Sequence, residues 1–386
     1  MIAWHIADTH IEQGPRWAER ARVLDHFATL AENQNPDLIL HAGDMFQKKS
    51  TPVEMQYAER WVQRLANVCP VVIVRGNHDT QHESESFSRL KATNSIVAVE
   101  YACLFDVAGI SVACLPWPTK AGVILQSAEL SLEQTSDDAM DHLRAILRWL
   151  GDELDKRRGP SIFLGHAMVR GSKTAAGQPL AGCDFELTLE DLNLVHADSY
   201  ALGHIHKSQA WQPGYDGGAI FRYSGSPFHT DFGDWFEKSF TRWVFDASGL
   251  AECSSVELPA HQMIDCVANY LTDETVDYNP ELVFDLSKIP DDPRDIEMRL
   301  KYTTAPEHAK AARAAAEAWR AQQLAAGAYS VVLAPEVLTT TRARAPEVSE
   351  AASPEDKLIA HWRSKGEDPD DASHRELLDK FREVTP

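Results

Sequence analysis

Five short apolar runs in residues 1–206 each stop at a polar turn. Residues 2–7 run into Asp8-Thr9-His10, residues 38–42 into Gly43-Asp44, and residues 71–74 into Gly76-Asn77-His78-Asp79. Further on, residues 161–164 lead to Gly165-His166 and residues 200–202 to Gly203-His204-Ile205-His206. Between the first three, segments 17–32 and 54–66 carry apolar residues at helical spacing. Strand alternating with helix predicts an α/β core with buried parallel strands. In such sheets ligands gather beyond the carboxyl ends of the strands, the position all five turns occupy. Residues 219–223 and 240–245 predict later strands with fewer helices between them, hence a second sheet packed on the first.

Past residue 255 the pattern changes. Residues 295–302 alternate like a strand, 310–326 are alanine-rich and helical, Gly327 is a natural C-cap, and 330–333 predict another strand. A small α+β lid is expected. Residues 339–353, rich in Thr, Ala and Pro, predict a linker. Ser353-Pro354-Glu355 then has the cap, N1 proline and acidic first turn of a helix start. Leu358, Ile359 and Trp362 share one face of that helix; Leu377, Leu378 and Phe381 form a second stripe after a break at 366–373. Two short amphipathic helices either fold back on the core or dock on a partner. The expected division is therefore 1–255, 256–338, a linker at 339–353, and a helical tail at 354–386.

A chain of 386 residues, 44% hydrophobic and 25% charged, is ordinary for a globular protein of two or three domains. No apolar run approaches the ~20 residues needed to span a bilayer, and residues 1–7 lack the pattern of a signal peptide. No membrane association and a cytoplasmic location are expected. Cys69, Cys103, Cys114, Cys183, Cys253 and Cys266 form no CxxC pair and read as reduced thiols. The net charge of −21 runs against the basic face usual in DNA binders. Two observations soften this objection. Acidic metal ligands are offset by the cations they hold, and residues 346–386 carry eleven acidic groups against six basic ones. Charge leaves the partner open.

The residue types at the five turns suit borderline-hard divalent cations, since neutral imidazole is combined with carboxylate and amide oxygen and no cysteine takes part. In Asp8-x-His10 and His204-x-His206, extended backbone sends both side chains the same way. Each turn alone has an ordinary reading as a cap, an Asn turn or a core histidine. Their order and shared placement argue for a site. The ligands are too many for one ion, and two metals about 3.5–4 Å apart, bridged by one carboxylate, fit them. On residue type alone His78 remains a ligand or a neighbour of one.

This series resembles the calcineurin-like metallophosphoesterase superfamily. Tyr200-Ala-Leu-Gly-His-Ile-His206, Tyr223-Ser-Gly-Ser-Pro227 and Lys238 opening a strand resemble its SbcD branch, the nuclease component of DNA double-strand-break processing complexes. The resemblance implies a two-sheet core flanked by helices, with a capping domain at 256–338. It implies that Asp8, His10 and His206 hold one metal, Asn77, His166 and His204 a second, and Asp44 bridges them, with manganese the expected metal. His78 becomes the catalytic acid, and Asp79 either orients it or caps the next helix. The implied activity is exonuclease and endonuclease cleavage of DNA by a hydroxide activated between the metals. The implied partners are DNA, a second copy of the chain, and an SbcC-like ATPase engaged by the C-terminal helices.

The chain also departs from that pattern. Ile11-Glu12 stands where relatives often have Leu-Gly, and Gln47 where many carry a histidine used in exonuclease action. A phosphodiesterase or phosphatase acting on small molecules or phosphoproteins, or a weakly catalytic scaffold, are the alternative readings. His5, His41 and His229 read as structural or surface residues. Lys48, Lys49, Arg170, Lys173 and Lys207 follow motifs and read either as phosphate contacts or as solvated charges.

Overall fold

The computed structural model describes residues 1–132, 138–175, 184–212, 218–232, 236–247, 249–271, 281–285, 289–338 and 353–384. The chain opens with β1 (Ile2–Ile6), α1 (Trp17–Gln34), β2 (Leu38–His41), α2 (Pro52–Ala66), β3 (Val71–Val74), α3 (Gln81–Ser88) and β4 (Ile96–Val99). Next come β5 (Cys103–Val107), β6 (Ile110–Leu115), α4 (Lys120–Glu129), α5 (Ala139–Leu154), β7 (Ser161–His166), β8 (Met168–Val169), β9 (Glu186–Leu187) and α6 (Leu189–Asn193). After β10 (Ser199–Gly203), β11 (Gln209–Trp211) and β12 (Ile220–Tyr223), the long strands β13 (Ser239–Asp246) and β14 (Gly249–Glu257) follow.

Two six-stranded sheets form the core, in the orders β14-β13-β1-β2-β3-β4 and β11-β12-β10-β7-β6-β5. β1 to β4 run parallel, as do β12, β10, β7 and β6. This is the expected α/β architecture, with one correction. β12 lies in the second sheet, but β13, expected beside it, returns antiparallel to β1 in the first. Alternation along β13 explains its place: Trp243 and Phe245 face the layer between the sheets while Phe240 faces the helices.

Both faces of each sheet are covered, which is why the strands read as continuous apolar runs. Ala3, Leu38, Leu40 and Val72 of the first sheet meet Ile110, Val112, Ile162 and Leu164 of the second in the inner layer. Outside, Trp4 and Ile39 pack on Phe27 of α1 and Trp61 of α2, and Phe163 and Tyr200 pack on Leu143 and Leu147 of α5. α2 starts where Thr51 accepts from the Glu54 amide, the Glu54 carboxylate returns to the Thr51 amide, and Pro52 takes the first turn.

A further sheet of order β16-β15-β17-β18 is built from β15 (Met263–Leu271), β16 (Glu281–Phe284), β17 (Glu297–Thr304) and β18 (Ser330–Val337), with α7 (Ala309–Ala325) between the last two. Two compact units result: Met1–Val267 with Phe284–Lys301 and Glu317–Ala334, and Ala268–Val283 with Tyr302–Ala316 and Pro335–Pro386. In the second unit, α8 (Pro354–Ser364) begins at Ser353, whose side chain accepts from the Asp356 amide. It packs on α9 (Ala372–Val384) through a Trp362–His374 ring stack at 4.3 Å and a Glu355–Arg382 ion pair. Residues 339–352 of the expected linker, and Cys183, lie outside the described residues; the other five cysteines are free thiols. Among the described residues no helix is long and apolar enough to cross a membrane.

Two core histidines fix a pH response. Burial, with Arg222 and His41 adding, pushes His5 down to about 3, and burial with His166 does the same to His41. The unfolded chain binds these protons below pH ~6.5 and the folded chain does not. Stability contributed by the neutral rings is complete above that pH and is lost as pH falls toward 3. Each ring costs about 1.4 kcal/mol per pH unit well inside this window. Denaturant titrations at pH 7.5, 5.5 and 4.5 should show this slope, shallower in His5→Asn; equal slopes reject the assignment.

Candidate metal centre

The loops after β1 and β2 are zipped together beyond the end of the sheet. The Asp8 amide donates to Gly43 O at 3.0 Å, His10 to Asp44 O at 3.1 Å, and Ile11 to Met45 O at 2.8 Å. Asp8, His10, Asp44 and His204 all adopt positive φ, at 54°, 38°, 54° and 108°. Such backbone disfavours non-glycine residues and concentrates at functional sites. Glycine is required at Gly76, where a Cβ would come within 2.1 Å of Asp44 Oδ1, and at Gly203, where it would meet Ala42 O at 2.0 Å.

The donors form two groups, Asp8, His10 and His206, and Asp44, His166 and His204. His10 Nε2 and His206 Nε2 are 2.8 Å apart. In the second group Asn77 Oδ1 lies 2.9 Å from His166 Nε2 and 3.1 Å from His204 Nδ1. Asp44 Oδ2 sits between the groups, 3.4 Å from His166 Nε2 and 4.0 Å from His10 Nε2. All seven residues expected to ligate thus converge. His166 Nδ1 is fixed by Ala42 O at 2.7 Å, which leaves Nε2 to face the centre.

The electrostatics fit divalent cations. Burial lowers His10 to about 4 and His204 to about 3, and drives His206 well below its usual value, so these rings are neutral, the form in which imidazole can ligate a cation. Burial pushes Asp8 up to about 8, opposed by His166 and reinforced by Asp44. Desolvation of Asp44 is outweighed by His166, with His10 and His78, which together hold its carboxyl far below the usual range. Two buried acidic side chains thus stand among mostly neutral imidazoles, a donor set whose charge bound divalent cations would balance.

His78 stands apart from the two donor groups. Its side chain is 37% exposed, its Nε2 is 3.9 Å from Asp44 Oδ2, and its Nδ1 lies 2.6 Å from Gln47 O. The Asp79 carboxylate accepts from the Gly76 amide at 2.9 Å and the Phe46 amide at 3.1 Å and so braces the loop that carries His78. The alternative reading of Asp79 as the cap of α3 is corrected: Thr80 is the N-cap, and its amide donates to the Glu83 carboxylate at 2.6 Å. His5, His41 and His229 are buried outside the two donor groups. Lys48 pairs with Glu12 and Arg170 with Glu186, while the Lys207 ammonium lies 3.7 Å over the Phe236 ring.

Two contributors escaped the sequence reading. The Gln47 carbonyl acts through the main chain, which no side-chain motif reveals. Trp117 follows β6 far from any motif, yet its ring lies 4.8 Å from that of His204.

With these donors in place, the class of the protein is a metal-dependent hydrolase. The chain belongs to the calcineurin-like phosphoesterase family, whose model matches residues 1–208. The SbcD component of the nuclease SbcCD from Bacillus subtilis is 27% identical over 249 residues, covering 60% of this chain and 61% of that protein. Its counterpart, SbcD of Escherichia coli K12, is 27% identical over 288 residues, covering 67% of this chain and 68% of its own length. The DNA double-strand break repair protein Mre11 of Saccharolobus solfataricus is 27% identical over 234 residues, covering 58% and 53% respectively. The match therefore spans about six tenths of the Bacillus relative.

The Gly76 contact gives a stability test. Gly76→Ala forces a methyl group onto the Asp44 main chain and carboxylate, an overpacking expected to cost ~2 kcal/mol or more. Urea denaturation measures this directly; a variant as stable as the parent contradicts the close approach.

Proposed function

We propose that the chain is the nuclease component of an SbcCD-like DNA repair complex and hydrolyses phosphodiester bonds with two divalent cations, manganese being the expected metal. The observation that carries this reading is Asp44 standing between two groups of histidine and carboxylate donors, with His78 on their open side. In this proposal Asp8, His10 and His206 hold one cation, Asn77, His166 and His204 the other, and Asp44 both. When bound, the cations supply Lewis acidity for phosphoryl transfer to water.

The chain's own residues do the rest. The Gln47 carbonyl accepts a hydrogen bond from Nδ1–H of His78 and turns Nε2 toward the leaving oxygen, to which the imidazolium form of His78 would give its proton. Asp79, holding two amides, keeps that loop in register. Residues 256–338 are proposed to cap bound DNA. After the linker at 339–353, residues 354–386 are proposed to engage an SbcC-like ATPase. A homodimer working in the cytoplasm completes the proposal. Names of the relatives support DNA as substrate.

Asp44→Asn should abolish manganese-dependent cleavage of DNA with little change in thermal stability. His78→Ala should lower kcat by ~10²–10⁴-fold while both cations still bind, as metal analysis would show. Undiminished DNA cleavage by Asp44→Asn rejects the site. Turnover of bis-p-nitrophenyl phosphate or cyclic nucleotides without any DNA cleavage replaces the nuclease with a small-molecule phosphodiesterase.

A further inference from the structure

The metal centre has an aromatic wall. Trp117 sits in Pro116-Trp117-Pro118, and its amide donates to Arg75 O at 2.9 Å, pinning it beside the loop that carries Asn77 and His78. Its ring is tilted 38° to that of His204 and lies 5.7 Å from the ring of His166. The indole is only half-buried, and it lines a shallow groove together with Arg75, Tyr101 and Pro118. Tyr101 is 57% exposed, unusual for so large a ring. The Arg75 guanidinium is held by Glu100 at 3.1 Å, so the pair adds no net charge to the groove.

These features select a ligand with two unlike ends. Beside the indole, the Asp44–His166–His204 group would suit a phosphate oxygen once it holds a cation. The groove, neutral and aromatic, suits a flat face. A nucleotide unit has both.

We propose that Trp117 stacks the nucleobase of the nucleotide flanking the phosphodiester at the Asp44–His166–His204 group, with Tyr101 lining the same groove. This inference rests on the proposed nuclease function and adds a residue that senses the base. Stacking on an aromatic face tolerates any base, because every base has a π-face. If Trp117 served packing alone, the cleavage rate would not depend on whether that base is present.

The test uses the full-length chain with manganese and oligonucleotides carrying one abasic site, moved stepwise across the cleavage point. Unmodified protein should cleave about ten-fold more slowly when one particular flanking base is missing, within what a single base–aromatic stack contributes. In Trp117→Ala the penalty at that position should vanish, and in Trp117→Phe it should persist. Should Trp117→Ala fail to fold, Trp117→Leu, bulky but unable to stack, carries the same expectation. A penalty that survives loss of the ring, or unmodified protein indifferent to every abasic position, overturns the stacking role. Hydrolysis of bis-p-nitrophenyl phosphate without any DNA cleavage is a different outcome, which rejects the nuclease reading and this site with it.

Discussion

The His204 amide donates to both oxygens of the Asp8 carboxylate, at 3.0 and 3.2 Å. Through that contact the carboxyl ends of the two sheets meet, because Asp8 follows β1 and His204 follows β10. Everything chemical in the molecule is assembled around this junction. The first sheet brings Asp8, His10, Asp44, Asn77 and His78; the second brings His166, His204 and His206. Neither sheet alone holds a complete donor group, since His206 completes one and Asp44 the other.

The junction imposes its own conformational demands. Side chains that converge from two sheets must leave their strands abruptly, and the left-handed backbone of Asp8, His10, Asp44 and His204 is how they do so. Main-chain bonds between the β1 and β2 loops hold that geometry in place. Buried imidazoles and carboxylates are costly without partners. Here the carboxylates lean on His166 and on backbone amides, and the neutral rings keep lone pairs suited to a cation.

Much of this was legible in the residues themselves. Strands buried on both faces announce themselves as unbroken apolar runs, and β1, β2, β3, β7 and β10 were found that way together with the turns that end them. Ser353-Pro354 marked the start of α8 because a hydroxyl cap and an N1 proline act locally. What escaped were interactions that ignore side-chain identity or sequence proximity. β13 returns to the first sheet through a pairing with β1 more than 230 residues away. Asp79 reads from sequence as a partner of His78 or a cap of α3, and the main-chain amides of Gly76 and Phe46 that it accepts from carry no sequence signal. Trp117 carries no signature, since its place beside His204 arises only when the end of β6 is set beside β3 and β10.

The glycines at the junction bear on how such a centre could be altered. At Gly76 and Gly203 main chain closely approaches main chain or the Asp44 carboxylate, so the spacing between the donor groups is dictated by backbone van der Waals contact. Side-chain exchange around the rim leaves that spacing untouched. Retuning the centre toward a larger or smaller ion would therefore have to proceed by changing donor atoms within a frame of fixed dimensions, not by widening the frame.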